Sequence, residues 1–203
     1  MFVYNVLLNA LQSASYLSTL SAQRLNNTSK ADIDIIFFNR ATKVGSESML
    51  ELFLALEAYN EFTVDKRGLH QIMWTKMERW VQQEIAKRIV DLNEPSVYIS
   101  HVNWIDFDDF DLPKPIYVNM VRDPVERVVS WYYYIRGSYR NAVAFNKFPN
   151  RKVQSEEWFK KNFNDCVRNG DEECQYMPME VLQHTKDQKS QVLFFCGNND
   201  NCL

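Results

Sequence analysis

Three short runs of β-branched and aromatic residues constrain the fold of this chain more than any other feature. They are residues 32–39 (DIDIIFFN), 97–101 (VYISH) and 116–121 (IYVNMV). Apolar runs this short, bounded by polar residues, read as buried strands. Helical patterns alternate with them. Met49, Leu50, Leu52, Phe53, Leu54 and Leu56 form an apolar stretch long enough for a helix, and Leu69, Ile72, Met73, Met77, Trp80, Val81, Ile85 and Ile89 recur at helical spacings over about five turns. That second helix is expected to end before Pro95. After the third run, Asp123 reads as an N-cap with Pro124 at the first helical position, opening a helix through Ser130 and Trp131 towards Gly137. The alternation specifies an α/β fold, a parallel sheet flanked by helices with right-handed crossovers. Ligands of such sheets gather at the carboxyl ends of the strands.

The 203 residues, 46% hydrophobic and 24% charged, suit one globular domain or at most two small ones. With 23 basic and 26 acidic residues the net charge is −3, which argues against a nucleic-acid binder held by a basic surface. Residues 1–31 differ from the rest. No charge occurs from Met1 to Gln23, yet the stretch is neither continuously apolar nor preceded by a basic flank, so it reads as a weak signal or anchor or as an atypical amphipathic helix. Overlapping glycosylation sequons at Asn26 and Asn27 follow in a polar stalk. The domain proper is expected over residues 32–203. All four cysteines lie late, as Cys166 with Cys174 and Cys196 with Cys202, each pair enclosing a short polar loop. Two local disulfides fit that spacing and a secretory or exterior setting, whereas a zinc site is the alternative for four thiolates.

Polar residues that carry chemistry follow the three strands. Lys43 supplies a cation, Gly45 lets backbone approach an anion, and Ser46 and Ser48 supply donors at a helix N-terminus, a phosphate-loop design without a Walker A sequence. His101 closes the second strand, where a neutral imidazole can take a proton near neutral pH. Arg122 and Ser130 follow the third and suit a second phosphate. Each has a plain structural reading in isolation, as a turn, a strand-end histidine or a helix cap; their convergence at one sheet edge is what points to a site. Between Arg127 and Glu156 lie Arg136, Arg140, Lys147, Arg151 and Lys152 with no acidic residue, read as a cationic loop whose tyrosines suit an anionic sugar chain, with Arg136 and Arg140 as the substrate contacts. Asp106, Asp108, Asp109 and Asp111 read as a solvated turn without calcium-loop spacing.

Residues 39–46 (NRATKVGS), His101-Val102, residues 121–134 (VRDPVERVVSWYYY) and residues 194–197 (FFCG) together resemble, in order, the uronyl and heparan-sulfate 2-O-sulfotransferase family, most closely its insect Pipe-like branch. The resemblance runs from about Asp32 to Cys202 and includes the two cysteine pairs. It implies a P-loop-like sulfotransferase fold and 3′-phosphoadenosine 5′-phosphosulfate as sulfuryl donor. The acceptor would be the 2-hydroxyl of a uronic acid residue in a glycosaminoglycan or glycoprotein glycan, with no metal. His101 would be the base and Lys43 the neutraliser of leaving-group charge. Gly45, Ser46 and Ser48 would hold the 5′-phosphosulfate, and Arg122 and Ser130 the 3′-phosphate. It further implies the Golgi lumen behind an N-terminal signal anchor, with homo-oligomers allowed. Val44 and Glu47 depart from the family's loop, and Glu47 sets a carboxylate beside a dianion unless it points away. The chain is expected to be the donor-binding half of a domain truncated at its C-terminus. A catalytically impaired fragment that binds glycan or regulates, and a nucleotide kinase with a degenerate loop, are the competing classes.

Overall fold

The computed structural model describes residues 30–66, 77–175 and 191–197. The uncharged N-terminal segment to residue 29, the sequons at Asn26 and Asn27, the first half of the long helical pattern and Cys202 lie outside the described residues. Four strands form the sheet: β1 (Ile35–Asn39), β2 (Thr63–Asp65), β3 (Ser96–Ser100) and β4 (Ile116–Val118). Their order is β2-β3-β1-β4, with every pairing parallel. Helix α1 (Ser46–Glu57) follows β1, α2 (Arg79–Val90) precedes β3, and α3 (Pro124–Arg136) follows β4.

Alternation along the strands sorts the core into two layers, because successive side chains leave opposite faces of a sheet. Ile35, Phe37 and Tyr98 pack on one face with Val81, Ile85, Ala86 and Ile89 of α2 and with Val102, Ile105 and Phe107. Phe38, Val97 and Ile99 pack on the other with Met49, Leu50 and Phe53 of α1. The central strand β1 therefore has no polar face, as expected of a strand covered on both sides. Asp123 caps α3, its side chain accepting from the Glu126 N–H at 2.9 Å, with Pro124 in the first turn.

Three expectations need correction. The run at 116–121 forms only three residues of strand, because Asn119 turns its side chain onto neighbouring backbone: its Oδ1 accepts from Met120 N at 2.7 Å and its Nδ2 donates to Asn39 O at 2.8 Å. Strand β2 was not visible in its sequence, Thr-Val-Asp, since three residues at a sheet edge carry too little pattern. The basic stretch is not a loop for most of its length. Gly137, extended at φ −61° and ψ 134°, breaks α3 from α4 (Ser138–Lys147), and Asn141 Nδ2 bridges the joint by donating to the Ile135 and Gly137 carbonyls, each at 2.9 Å. Beyond it come α5 (Glu156–Lys160), α6 (Phe163–Arg168) and α7 (Val192–Cys196).

The end of α7 docks under the first strand's loop. Trp104 N donates to Leu193 O at 2.9 Å, and Gly197 follows at φ +85°. A Cβ on Gly197 would lie 2.8 Å from the Trp104 ring and 3.0 Å from its carbonyl oxygen. Gly197→Ala is therefore expected to destabilise the fold by about 2 kcal/mol, from left-handed strain and overpacking together. Denaturant unfolding with an unchanged m-value checks this.

Candidate active site

The loop after β1 is built on apolar anchors. Ala41 and Val44 are buried against Phe194, while positive φ at Lys43 (63°) and Gly45 (93°) turns the backbone sharply into α1. A Cβ on Gly45 would have only an ordinary contact with Met120, so it is the backbone angle that calls for glycine. Asn39 ties this loop to α7, its Nδ2 donating to Phe194 O at 2.8 Å, and Asn119 donates to Asn39 from the β4 side. Arg127 of α3, fully buried, reaches Thr42 O at 3.5 Å. Contacts from α7, from α3 and from the residue after β4 thus fix the loop at the carboxyl end of the sheet.

Around it lies a cleft of about 400 Å³ lined by Arg40, Thr42, Lys43, Gly45, Ser46, Glu47, His101, Arg122, Ser130, Trp131, Tyr134 and Arg140. Lys43, Gly45, Ser46, His101, Arg122, Ser130 and Arg140, all expected from sequence, meet there. Ser48, exposed in the first turn of α1, does not line the cleft. The hydroxyl of buried Ser46 sits at the N-terminus of a twelve-residue helix, where unpaired N–H groups and the helix dipole favour an anion. Lys43 Nζ lies 4.1 Å from the centre of the Tyr134 ring, and the Arg140 guanidinium stands 4.9 Å from the same ring and 5.3 Å from that of Trp131. Partial burial, then the Arg122 and Arg140 charges, hold Lys43 below the ordinary amine range, with Glu47 opposing. Cations crowded this closely are relieved by an incoming anion.

His101 Nδ1 lies 2.9 Å from the Arg40 carbonyl oxygen. A carbonyl only accepts, so Nδ1 carries the proton and Nε2 of the neutral ring keeps its lone pair. Burial first, then the Arg40 charge, lower the imidazole pKa below its usual 6.5, so the ring is neutral at neutral pH. A strand-end histidine of fixed tautomer and free lone pair is equipped as a proton acceptor.

Arg136 is not a substrate contact. Its side chain is 3% exposed, ion-paired with Glu173 at 2.6 Å and enclosed by the rings of Tyr132 and Trp158. Cys166 and Cys174 are bonded to each other and Cys196 is also disulfide-bonded, which displaces the zinc alternative. In the acidic turn Lys114 pairs with Asp108 at 2.6 Å, and among the described residues no cluster of His, Cys, Asp and Glu is arranged to hold a metal. No helix among the described residues is long and apolar enough to cross a membrane. Sequence reasoning gave no site role to Arg40, Thr42 or Trp131, although each stands within a stretch it had singled out.

The chain is 39% identical over 185 residues to the uronyl 2-sulfotransferase homolog pip of Drosophila melanogaster, an alignment covering 88% of this chain and 35% of that protein. It is 34% identical over 194 residues to heparan sulfate 2-O-sulfotransferase 1 of Mus musculus and 33% identical over 194 residues to that of Homo sapiens, covering 91% of this chain and 48% of each relative. The chain thus spans less than half the length of these curated relatives. The description of the sulfotransferase family matches residues 28–202, a span that takes in the loop after β1, His101, Arg122 and Ser130. The four-stranded parallel sheet, the anion-suited loop at its carboxyl edge and this match together place the chain in the sulfotransferase family.

Proposed function

We propose that the protein transfers a sulfuryl group from 3′-phosphoadenosine 5′-phosphosulfate to the 2-hydroxyl of a uronic acid residue in a glycosaminoglycan or related glycan. The observation that carries this reading is the meeting of Lys43, Ser46, His101, Arg122 and Ser130 in one cleft. The donor suits those residues: two cations, two hydroxyls and a helix N-terminus match a molecule with a phosphosulfate at one end and a phosphate at the other. The donor supplies the electrophilic sulfur. Ser46 and the N–H groups that open α1 hold the phosphosulfate, and Arg122 with Ser130 holds the 3′-phosphate. His101 Nε2 takes the acceptor hydroxyl proton as that oxygen bonds to sulfur, and the sulfur–oxygen bond to the 5′-phosphate breaks. Lys43 balances the charge left on the departing phosphate. Adenosine 3′,5′-diphosphate and the sulfated glycan leave.

The setting proposed is the Golgi lumen, with residues 1–31 as anchor and stalk and residues 32–203 as the donor-binding domain. The late disulfides and the kinds of relative support it. Binding of adenosine 3′,5′-diphosphate by calorimetry tests the assignment. Lys43→Ala and Arg122→Ala are each expected to weaken it by about tenfold or more, the scale of one charge-assisted contact to phosphate. Equal affinity in both variants and the parent refutes the phosphate site, and tighter binding of ATP than of the diphosphate refutes the donor.

A further inference from the structure

Arg40 is the most enclosed cation of the cleft. Its side chain is 8% exposed, its Nε donates to Ser46 Oγ at 3.3 Å, and its carbonyl oxygen receives the His101 proton. A guanidinium withdrawn from water needs an anion. Glu47, in the first turn of α1 and 76% exposed, supplies it by pairing with the Arg40 guanidinium. Both residues line the cleft, and the His101 imidazole feels both charges, in opposite senses. The carboxylate therefore stands within electrostatic reach of the proton acceptor, as it does of Lys43.

We infer that Glu47 is a specificity-determining residue: as the built-in counter-ion of Arg40 beside the base, it favours an acceptor glycan of low charge density, bearing uronic carboxylates and few sulfates. This rests on the sulfuryl-transfer reading above. Were residue 47 uncharged, Arg40 would be left for a ligand's own anionic group. With Glu47 in place that position is filled, and each further sulfate brought near it meets like charge. Selection arises from repulsion of the dense polyanion as much as from attraction of the sparse one.

Glu47→Gln keeps the shape and one acceptor oxygen while removing the charge, and its Tm is compared with the parent's before binding is measured. The affinities of a heparin hexasaccharide and of an unsulfated heparosan hexasaccharide are measured by calorimetry at fixed salt, with adenosine 3′,5′-diphosphate present. The ratio favouring heparin is expected to rise about fivefold or more in the variant, since one charge is removed in a partly screened site. An unchanged or falling ratio overturns the inference. A second measurement does not depend on the glycan. The NMR titration of His101 is expected to move to lower pH in Glu47→Gln, because Arg40 then acts unopposed while Lys43, Arg122 and Arg140 are common to both proteins. An unmoved titration also overturns it. A parent chain that binds no adenosine 3′,5′-diphosphate refutes the sulfuryl-transfer reading and this inference with it; a parent that binds it with an unchanged ratio refutes the inference alone.

Discussion

Replacement of His101 by alanine is expected to lower sulfate transfer by about 10²–10⁴ while adenosine 3′,5′-diphosphate still binds within a few-fold of the parent. The separation follows from where the ring is tied. The ring is hydrogen-bonded to the Arg40 carbonyl, so removing it withdraws a proton acceptor from the acceptor side and leaves Lys43, Ser46, Arg122 and Ser130 in place for the donor. Transfer of labelled sulfate to a uronate oligosaccharide, beside calorimetry with the diphosphate, reads both quantities. Transfer within a few-fold of the parent removes His101 as the base. Joint loss of transfer and binding marks it as a support of the Arg40 backbone instead.

The same geometry fixes the pH dependence. The active form is the neutral ring, and burial with the Arg40 charge holds the folded-state pKa below 6.5. Transfer is therefore expected to persist as pH falls through 6.5 and to decline only through the lower, folded-state value. Stability runs the same way. Between 6.5 and that lower value the unfolded chain binds a proton that the folded chain does not, so acidification through this window costs stability. An acid limb centred above 6.5 contradicts the placement of the ring.

What was legible in the sequence is what lies close along the chain. The strands β1, β3 and β4 announce themselves by apolar runs, and parallel topology then brings their carboxyl ends together, which is why Lys43, His101 and Arg122 meet although 58 and 79 residues separate the later two from the first. Pairings set by side-chain direction were not legible. Nothing in the order Arg40 to Glu47 shows that the first is buried and the second closes on it from the next helix turn. Asn119 reads as part of a strand, yet its amide leaves the ladder to hold Asn39. Arg136 and Arg140 looked alike as members of one basic stretch read as a loop, whereas Arg136 lies on helix α3. Gly137 interrupts that helix, and the two arginines part company: Arg140 faces the cleft and Arg136 turns into the protein.

That division yields the second large effect, on stability rather than binding. Arg136 Nε donates to Trp158 O at 3.1 Å, its Nη1 to Tyr132 O at 3.2 Å and its Nη2 to Glu173 Oε1 at 2.6 Å. The guanidinium plane lies 3.5 Å from the Tyr132 ring centre and 3.9 Å from that of Trp158. One side chain therefore joins the end of α3 to α5 and to the loop closed by Cys166 and Cys174. Alanine would remove these bonds together with the ion pair to Glu173, whose side chain is a third exposed. Losing one partner of a buried pair costs about 3–5 kcal/mol, and the partial exposure of Glu173 puts this case near about 3. For a domain of this size that lowers Tm by roughly 6–12 °C. Lysine at 136 keeps the charge but not the planar fork, so it should recover only part of the loss. Arg140→Ala should leave Tm near the parent and weaken binding of anionic ligands, because that guanidinium rests on the outer faces of Trp131 and Tyr134 in the cleft. Calorimetric unfolding of the three variants decides the matter: an unshifted Tm in Arg136→Ala together with lost glycan binding would return Arg136 to the substrate surface.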